Sequence, residues 1–451
     1  MLVLITLFSA CQSSSSSSPG LVEISINTEG FFYSRASYQI FYHEENGSIT
    51  IPLGDCSLIE VGPKFGYKYL YKESEGEKLD LKFINDILYV NGNPRSIDLA
   101  SISAENFNQL SLTLTEEEIL QLQNISMLDI PERKLDSVFS RLTYLVEKNE
   151  NITFIGYEDF EKGYRLMSMT KPEVFILDSL NQPEVLQQID FSNLQNLLIG
   201  NIQSDILASD LPGIMDIFAG PSLKSVSFVS TRLASLNLFE QILDNCSNLS
   251  AVTVAGVMSP DVEKRLANHS GLRELHLINQ VEGFNYFYEN LRNPNIRYLT
   301  FLGENYSQVI EGIDNLAHLN IGPVSFRNLE QISSSAKGLE YLKILSPVNS
   351  VKPLANAGNI QQLALLIDST NQDLNTEPLG EMGSLRGVEL YVPDESFSNS
   401  PEAEELKSRV QAACPSCEVT INRGFCLGKG HLLFFLLTFS GFLLFKYRQV
   451  S

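Results

Sequence analysis

The chain has 451 residues, long enough for two or three ordinary domains or one long repeat array. Its formal charge of −22 excludes nucleic-acid binding by phosphate neutralisation, which needs a basic footprint. An apolar share of 43% excludes wholesale disorder, and six cysteines in so long a chain exclude a small disulfide-framed scaffold.

Residues 1–10 read as a signal peptide: Leu2 to Phe8 is apolar but far too short to span a bilayer, and small residues follow it. Phe8-Ser9-Ala10-Cys11 resembles the lipobox of bacterial lipoproteins, and the resemblance implies a lipid on Cys11. Phe8 stands where that motif usually has leucine, and no Lys or Arg precedes the apolar run. Ordinary cleavage with an incidental cysteine fits the same residues. Residues 11–20 are Ser-rich and form a tether that cannot pack.

Residues 21–100 carry short alternating or aromatic-rich runs (VEISI, ASYQIFYH, SITIPL, YKYLYK, LDLKF, ILYVNGNP) separated by turn residues. They predict a β-rich domain, or a cap over the first repeat of an array.

The array itself is predicted over 101–398. LRELHL at 272 has apolar residues at its first, fourth and sixth places. The spacing recurs in LKSVSF at 223, LSAVTV at 249, IRYLTF at 296, LAHLNI at 316, LEYLKI at 339, IQQLAL at 360 and LRGVEL at 385. Looser copies are NITFIG at 151, PEVFIL at 172 and LQNLLI at 194. Starts about 20–29 residues apart, with that pattern, resemble the leucine-rich-repeat family. The resemblance implies an α/β solenoid in which each repeat gives one short strand and returns over the outer face. Ser259-Pro260-Asp261 before VEKRLAN predicts a capped helix there, and LFEQILDN at 238 and FYENLRN at 287 have one-sided helical spacing. Family repeats usually hold Asn or Cys at the ninth place, whereas this chain has Thr231, Val257, Gln280, Glu304, Val324, Pro347, Asp368 and Pro393. The buried turn amides therefore need other partners, and an irregular solenoid is expected.

With that register, the third and fifth places of each repeat face the concave side. Glu274, His276, Tyr298, Thr300, His318, Asn320, Tyr341 and Lys343 are the candidate ligand-binding residues, with the Tyr and His side chains as a central patch.

Residues 399–428 predict one helix, a final strand at EVTI and a stalk. Cys414-Pro415-Ser416-Cys417 follows a charged helix rather than opening one after a strand, so a structural disulfide is expected in place of a catalytic pair. Cys56 and Cys246 are expected to be buried apolar residues. Residues 429–448 read as a transmembrane helix or a sorting tail. The apolar run Leu432 to Phe445 covers roughly 21 Å as a helix, and Lys446 and Arg448 follow it. Asn422-Arg423-Gly424 with that run partly resembles a GPI-attachment signal, and the basic end resembles bacterial sorting tags. Asn-x-Ser/Thr acceptors stand at Asn46, Asn124, Asn151, Asn245, Asn248, Asn268 and Asn305.

The chain carries no HExxH, no phosphate-binding glycine loop after a strand and no GxSxG elbow with partners in order. No catalytic centre, metal site or cofactor is expected. The reading is a membrane-anchored surface or periplasmic protein that recognises a protein or glycan on its concave face; the alternative is a structural envelope spacer or self-association protein.

Overall fold

The computed structural model describes residues 21–34, 39–43, 45–52, 58–62, 67–71, 76–127, 130–155, 161–177, 183–200, 218, 222–230, 233–255, 258–278, 293–302, 315–322, 324–368, 371–392, 397 and 400–426. Cys11, the amino-terminal run and the apolar tail lie outside them, as do Cys56, Asn305 and most of the 287–293 segment. Among the described residues no helix is long and apolar enough to cross a membrane.

The amino-terminal region forms β1 (Leu21–Ile26), β2 (Gly30–Ser34), β3 (Gln39–His43), β4 (Gly47–Pro52), β5 (Leu58–Gly62), β6 (Tyr67–Leu70), β7 (Lys78–Ile84), β8 (Ile87–Val90) and β9 (Asn93–Asp98). The turns of the β7–β8–β9 meander are set locally. Asn85-Asp86 and Asn91-Gly92 all take positive φ, the conformation a two-residue hairpin requires.

Helices α1 (Ala104–Thr113) and α2 (Glu116–Gln121) then precede β10 (Asn124–Ser126), α3 (Glu132–Lys148), β11 (Thr153–Ile155) and α4 (Glu161–Met167). In α3, Leu135, Val138, Leu142, Leu145 and Val146 recur at helical spacing and are all buried. The repeats continue as β12 (Val174–Leu177), β13 (Asn196–Ile199), β14 (Ser225–Phe228), α5 (Leu233–Asn245), β15 (Ala251–Val254), α6 (Pro260–Asn268), β16 (Glu274–Ile278), β17 (Tyr298–Leu302) and β18 (His318–Gly322). Next come α7 (Phe326–Ser335), β19 (Tyr341–Ile344), β20 (Gln362–Leu366), β21 (Gly387–Val392), α8 (Pro401–Ala413) and β22 (Glu418–Cys426). The Ser259 side chain caps α6 by accepting from the Val262 amide, and Pro260 opens its first turn. Between β19 and β21 the returns shrink to single 3-10 turns at Lys352–Leu354 and Glu377–Glu381.

Strands β12 to β22 lie side by side in sequence order, each parallel to the next. Leu275 of β16 pairs with Val252 of β15 and Leu299 of β17, and that row runs on through Leu319, Leu342, Leu363 and Val388. A second interior row joins Leu277, Phe301, Ile321, Ile344, Leu365 and Leu390. These side chains belong to one elongated core that extends from Ile87 to Val419. The fold is thus a parallel-stranded repeat solenoid.

The amino-terminal strands do not stand apart from it. In one sheet the order is β4-β1-β7-β8-β9-β10-β11, so the backbone ladder runs from the meander into the first repeat strands. At the opposite end β22 pairs parallel with β21 through Arg423, then antiparallel with β3 through Gly424–Cys426. From β3 the sheet continues through β2 and β5 to β6, and β6 lies against β9 and β10. Tyr67 of β6 hydrogen-bonds Ser101, just past β9, and meets the Phe83 ring of β7 edge-on at 4.9 Å. The chain therefore closes on itself across the mouth of the solenoid.

A second core fills the enclosed side. It joins Val22, Ile24, Ile59, Val61, Tyr69, Leu79, Leu81 and Val90 to Tyr341, Ala364 and Tyr391 of the repeats. These amino-terminal residues are buried because alternate strand positions face inward, the same period-two rule that shapes the repeats.

Candidate functional site

Register places the predicted site residues in two rows on the concave side of the sheet. Glu274, Tyr298, His318 and Tyr341 are neighbours in one, and His276, Thr300, Asn320 and Lys343 in the other. The structure brings all eight together, but it does not leave them on an open face. Thr300 and Lys343 are 0% exposed, Tyr341 is 1%, and Glu274, His276, His318 and Asn320 lie between 5% and 8%. Tyr298 alone is half-buried. At the Tyr341 end the cover is the second core contributed by the amino-terminal strands.

Inside the rows some of the buried polar groups pair with one another, while His318 Nδ1 and Asn320 Oδ1 have no hydrogen-bond partner among the described residues. The Thr300 hydroxyl lies 2.9 Å from His276 Nδ1 and accepts from Asn320 Nδ2 at 3.0 Å. His276 Nε2 is 4.0 Å from a Glu274 carboxylate oxygen. The rings of Tyr298, His318 and Tyr341 form a continuous stack, with centroids 4.9 and 5.5 Å apart. Burial, helped by the Arg297 charge, pushes the His318 pKa down to about 4, so its ring is neutral in the stack at neutral pH.

Beyond Lys343 the row continues through Ala364 to Glu389. Tyr391 donates its hydroxyl proton to Glu389, and Lys343 Nζ sits over the Tyr391 ring. Burial raises the Glu389 pKa, opposed by the Lys343 charge. This end of the concave side is sealed, with charge, ring and carboxylate packed against one another.

The turns before the strands hold residues that the leucine pattern alone did not single out. Asn149 Nδ2 donates to the carbonyls of Ile119 and Leu122, and its Oδ1 accepts from the Asn151 amide. Asn293 repeats the arrangement with Leu266, His269 and Asn295. Each stands three places before the first apolar residue of a repeat, Ile152 or Ile296. At the same place in other repeats Cys246 Sγ lies 3.9 Å from the Phe218 carbonyl, and His269 Nε2 lies 3.0 Å from the Cys246 carbonyl. In these repeats the turn partners missing from the ninth place are supplied upstream of the strand, whereas after β20 Asn371 donates to the Val348 and Leu366 carbonyls from downstream. The signal was an Asn-x-Asn ahead of each of these two runs.

Cys414 and Cys417 are joined by a disulfide and both are buried, tying the end of α8 to the start of β22. Burial pushes the free Cys246 thiol up to about 11, far from a nucleophile's range. Asn124 is buried in β10, which removes it as a glycan acceptor, whereas Asn46, Asn151, Asn245 and Asn248 are exposed. Among the described residues no cluster of His, Cys, Asp or Glu could hold a metal ion.

No family model matches this sequence, and no curated protein does. Two solved structures are similar to it in part. An internalin from Listeria monocytogenes is 14% identical, with a TM-score of 0.37 over 70% of this chain and 93% of that one. The Toll–Spätzle complex, described as a hub in Drosophila development and innate immunity, is 11% identical with a TM-score of 0.34. That match covers 82% of this chain and 58% of the other. The parallel ladder and its shared core carry the assignment of a repeat solenoid.

Proposed function

We propose that the chain is a non-catalytic, leucine-rich-repeat-like recognition protein, held at the outer face of a membrane and binding a protein or glycan. The carrying observation is the contrast between the two faces of β16 to β18. The interior rows are aliphatic or phenylalanine throughout, while the concave rows hold Glu274, His276, Tyr298, Thr300, His318 and Asn320 in register. Polar groups on a largely covered face cost stability unless paired, and His318 Nδ1 and Asn320 Oδ1 have no hydrogen-bond partner there among the described residues, which supports a face kept for contact.

Recognition centres on Tyr298, the half-buried ring that ends the His318 and Tyr341 stack. Tyrosine gives a large contact at low entropy cost and is enriched among interface hot spots. Tyr341 and Lys343 brace the sealed end and reach a partner only through their neighbours. Anchoring rests on the two termini, through a lipid on Cys11 or the apolar run from Leu432 to Phe445.

The test pairs two substitutions on the full chain, using a binding partner captured by the unaltered protein. Tyr298→Ala should weaken that capture at least tenfold with little change in thermal midpoint. Tyr341→Ala should lower the midpoint through lost core packing. Capture that survives Tyr298→Ala unchanged sinks the concave-face reading. Mass spectrometry of the mature ends decides the anchor.

A further inference from the structure

A second surface is open. Where β19, β20 and β21 begin, a shallow groove of about 500 Å³ is lined by Gly338, Glu340, Asn359, Gln361, Ser384 and Arg386. It lies on the rim of the solenoid, at the second place of each repeat, outside the concave rows.

The three longer side chains are held in strict order by the backbone. The Gln361 and Gln362 amides both donate to the Glu340 carbonyl, and those of Arg386 and Gly387 both donate to the Gln361 carbonyl. A carboxylate, a carboxamide and a guanidinium thus stand on consecutive rungs. Two strand spacings put about 10 Å between the first and the last. The flanking polar groups are already used: Asn359 donates to the Lys337 carbonyl and Ser384 to the Gly358 carbonyl. Among the described residues no ion pair engages Glu340 or Arg386, and no hydrogen bond engages the Gln361 side chain. Arg386 Nη1 reaches only the Leu385 carbonyl, at 3.4 Å.

We propose that this groove binds a short zwitterionic peptide of about three residues with free ends. Acid, amide and base in that order complement an ammonium, a peptide bond and a carboxylate. An extended chain of three residues spans about 10 Å, the same reach as the two rungs. The Gln361 amide can meet a peptide N–H and C=O together, and a guanidinium takes a terminal carboxylate through two parallel hydrogen bonds. A neutral sugar has no use for opposite charges at the two ends, and the groove has no aromatic plane for one to stack on. Because exposed ion pairs are individually weak, binding depends on both ends at once and falls in about the millimolar range.

The proposal stands apart from the concave-face reading, since its residues and its probe are different. Triglycine is titrated into the full chain and followed by saturation-transfer NMR and calorimetry. Triglycine should bind, while N-acetyl-triglycine and triglycine amide should each bind at least tenfold more weakly. Glu340→Gln and Arg386→Gln should each lose the same factor with unchanged melting. Exchanging the charges, Glu340→Arg with Arg386→Glu, should restore binding because the peptide can lie in the reverse direction. Absence of triglycine binding, or binding indifferent to capping or to Glu340→Gln, overturns the proposal. So does a neutral trisaccharide, maltotriose, that binds more tightly than triglycine and is lost with the same substitutions.

Discussion

Lys343 Nζ lies 3.8 Å from the centroid of the Tyr391 ring, although the two residues sit two strands apart. Ala364 on the strand between is small and 0% exposed, and so lets the lysine reach across. Glu389, which accepts the Tyr391 hydroxyl proton, is the residue in register with Ala364 on the far side. Its pKa is raised by burial and pulled back by Lys343. A carboxyl whose folded pKa is raised contributes stability below its unfolded value and loses it as pH rises through the folded value. Lys343→Met removes the opposing cation, so it should cost about 3 kcal/mol at neutral pH and less on the acid side. Adding Glu389→Gln should recover most of the loss. Urea unfolding across the carboxylate range checks both, and a penalty independent of pH would count against the coupling.

His318 works in the opposite direction. Its pKa falls from 6.5 to about 4 through burial and the Arg297 charge. A depressed folded pKa gives stability that is complete above the unfolded value and lost as pH falls through the folded one. The shift corresponds to about 3 kcal/mol, to be lost between those two pH values. His318→Phe keeps a ring between Tyr298 and Tyr341 and should flatten that part of the pH–stability curve. Thermal melts of both proteins at matched pH values measure it; parallel curves would remove His318 as the cause.

Asn293 is a single side chain closing two carbonyls and one amide in a buried turn. Removing it leaves polar backbone unsatisfied, so Asn293→Ala should cost about 2 kcal/mol. Asn293→Asp keeps the shape but turns two donors into an acceptor facing two carbonyls, so it should cost more than alanine. Denaturant midpoints at constant slope give the ranking, and aspartate as the milder change would mean the hydrogen bonds do not set it.

The strand register was readable because it rests on a local rule. In LRELHL the alternate positions Leu275 and Leu277 must share one interior, and they pair with Val252 and Val254 on one side and Leu299 and Phe301 on the other. The turn asparagines were readable too, had the count run backwards from Ile152 and Ile296 instead of forwards to the ninth place. The cover over the concave side was not. It depends on β22 changing partners at Gly424 and on β6 returning to β9, contacts between segments far apart in the chain. Nothing in the local pattern of Tyr341 or Lys343 tells an open strand face from one that meets a second core. The candidate rows were placed by periodicity, and their burial came from closure.

That closure can be opened at one point. Three residues, Gly424 to Cys426, pair β22 with β3, while Glu418 to Arg423 pair it with β21. Ending the chain after Arg423 removes the first ladder and leaves the second, so β3 becomes an edge strand whose outward amides face water. Amide exchange in β3 should then quicken at least tenfold, equivalent to about 1.4 kcal/mol of local opening energy, with smaller changes in β2. Exchange in β16 and β17, whose partners on both sides are untouched, should stay as it was. Faster exchange everywhere would mean that the end of β22 supports the whole solenoid. Unchanged exchange in β3 would mean that the amino-terminal strands are held by the second core alone, because Tyr69 and Ile59 share that core with Tyr341 and Tyr391 whether or not the ladder is joined.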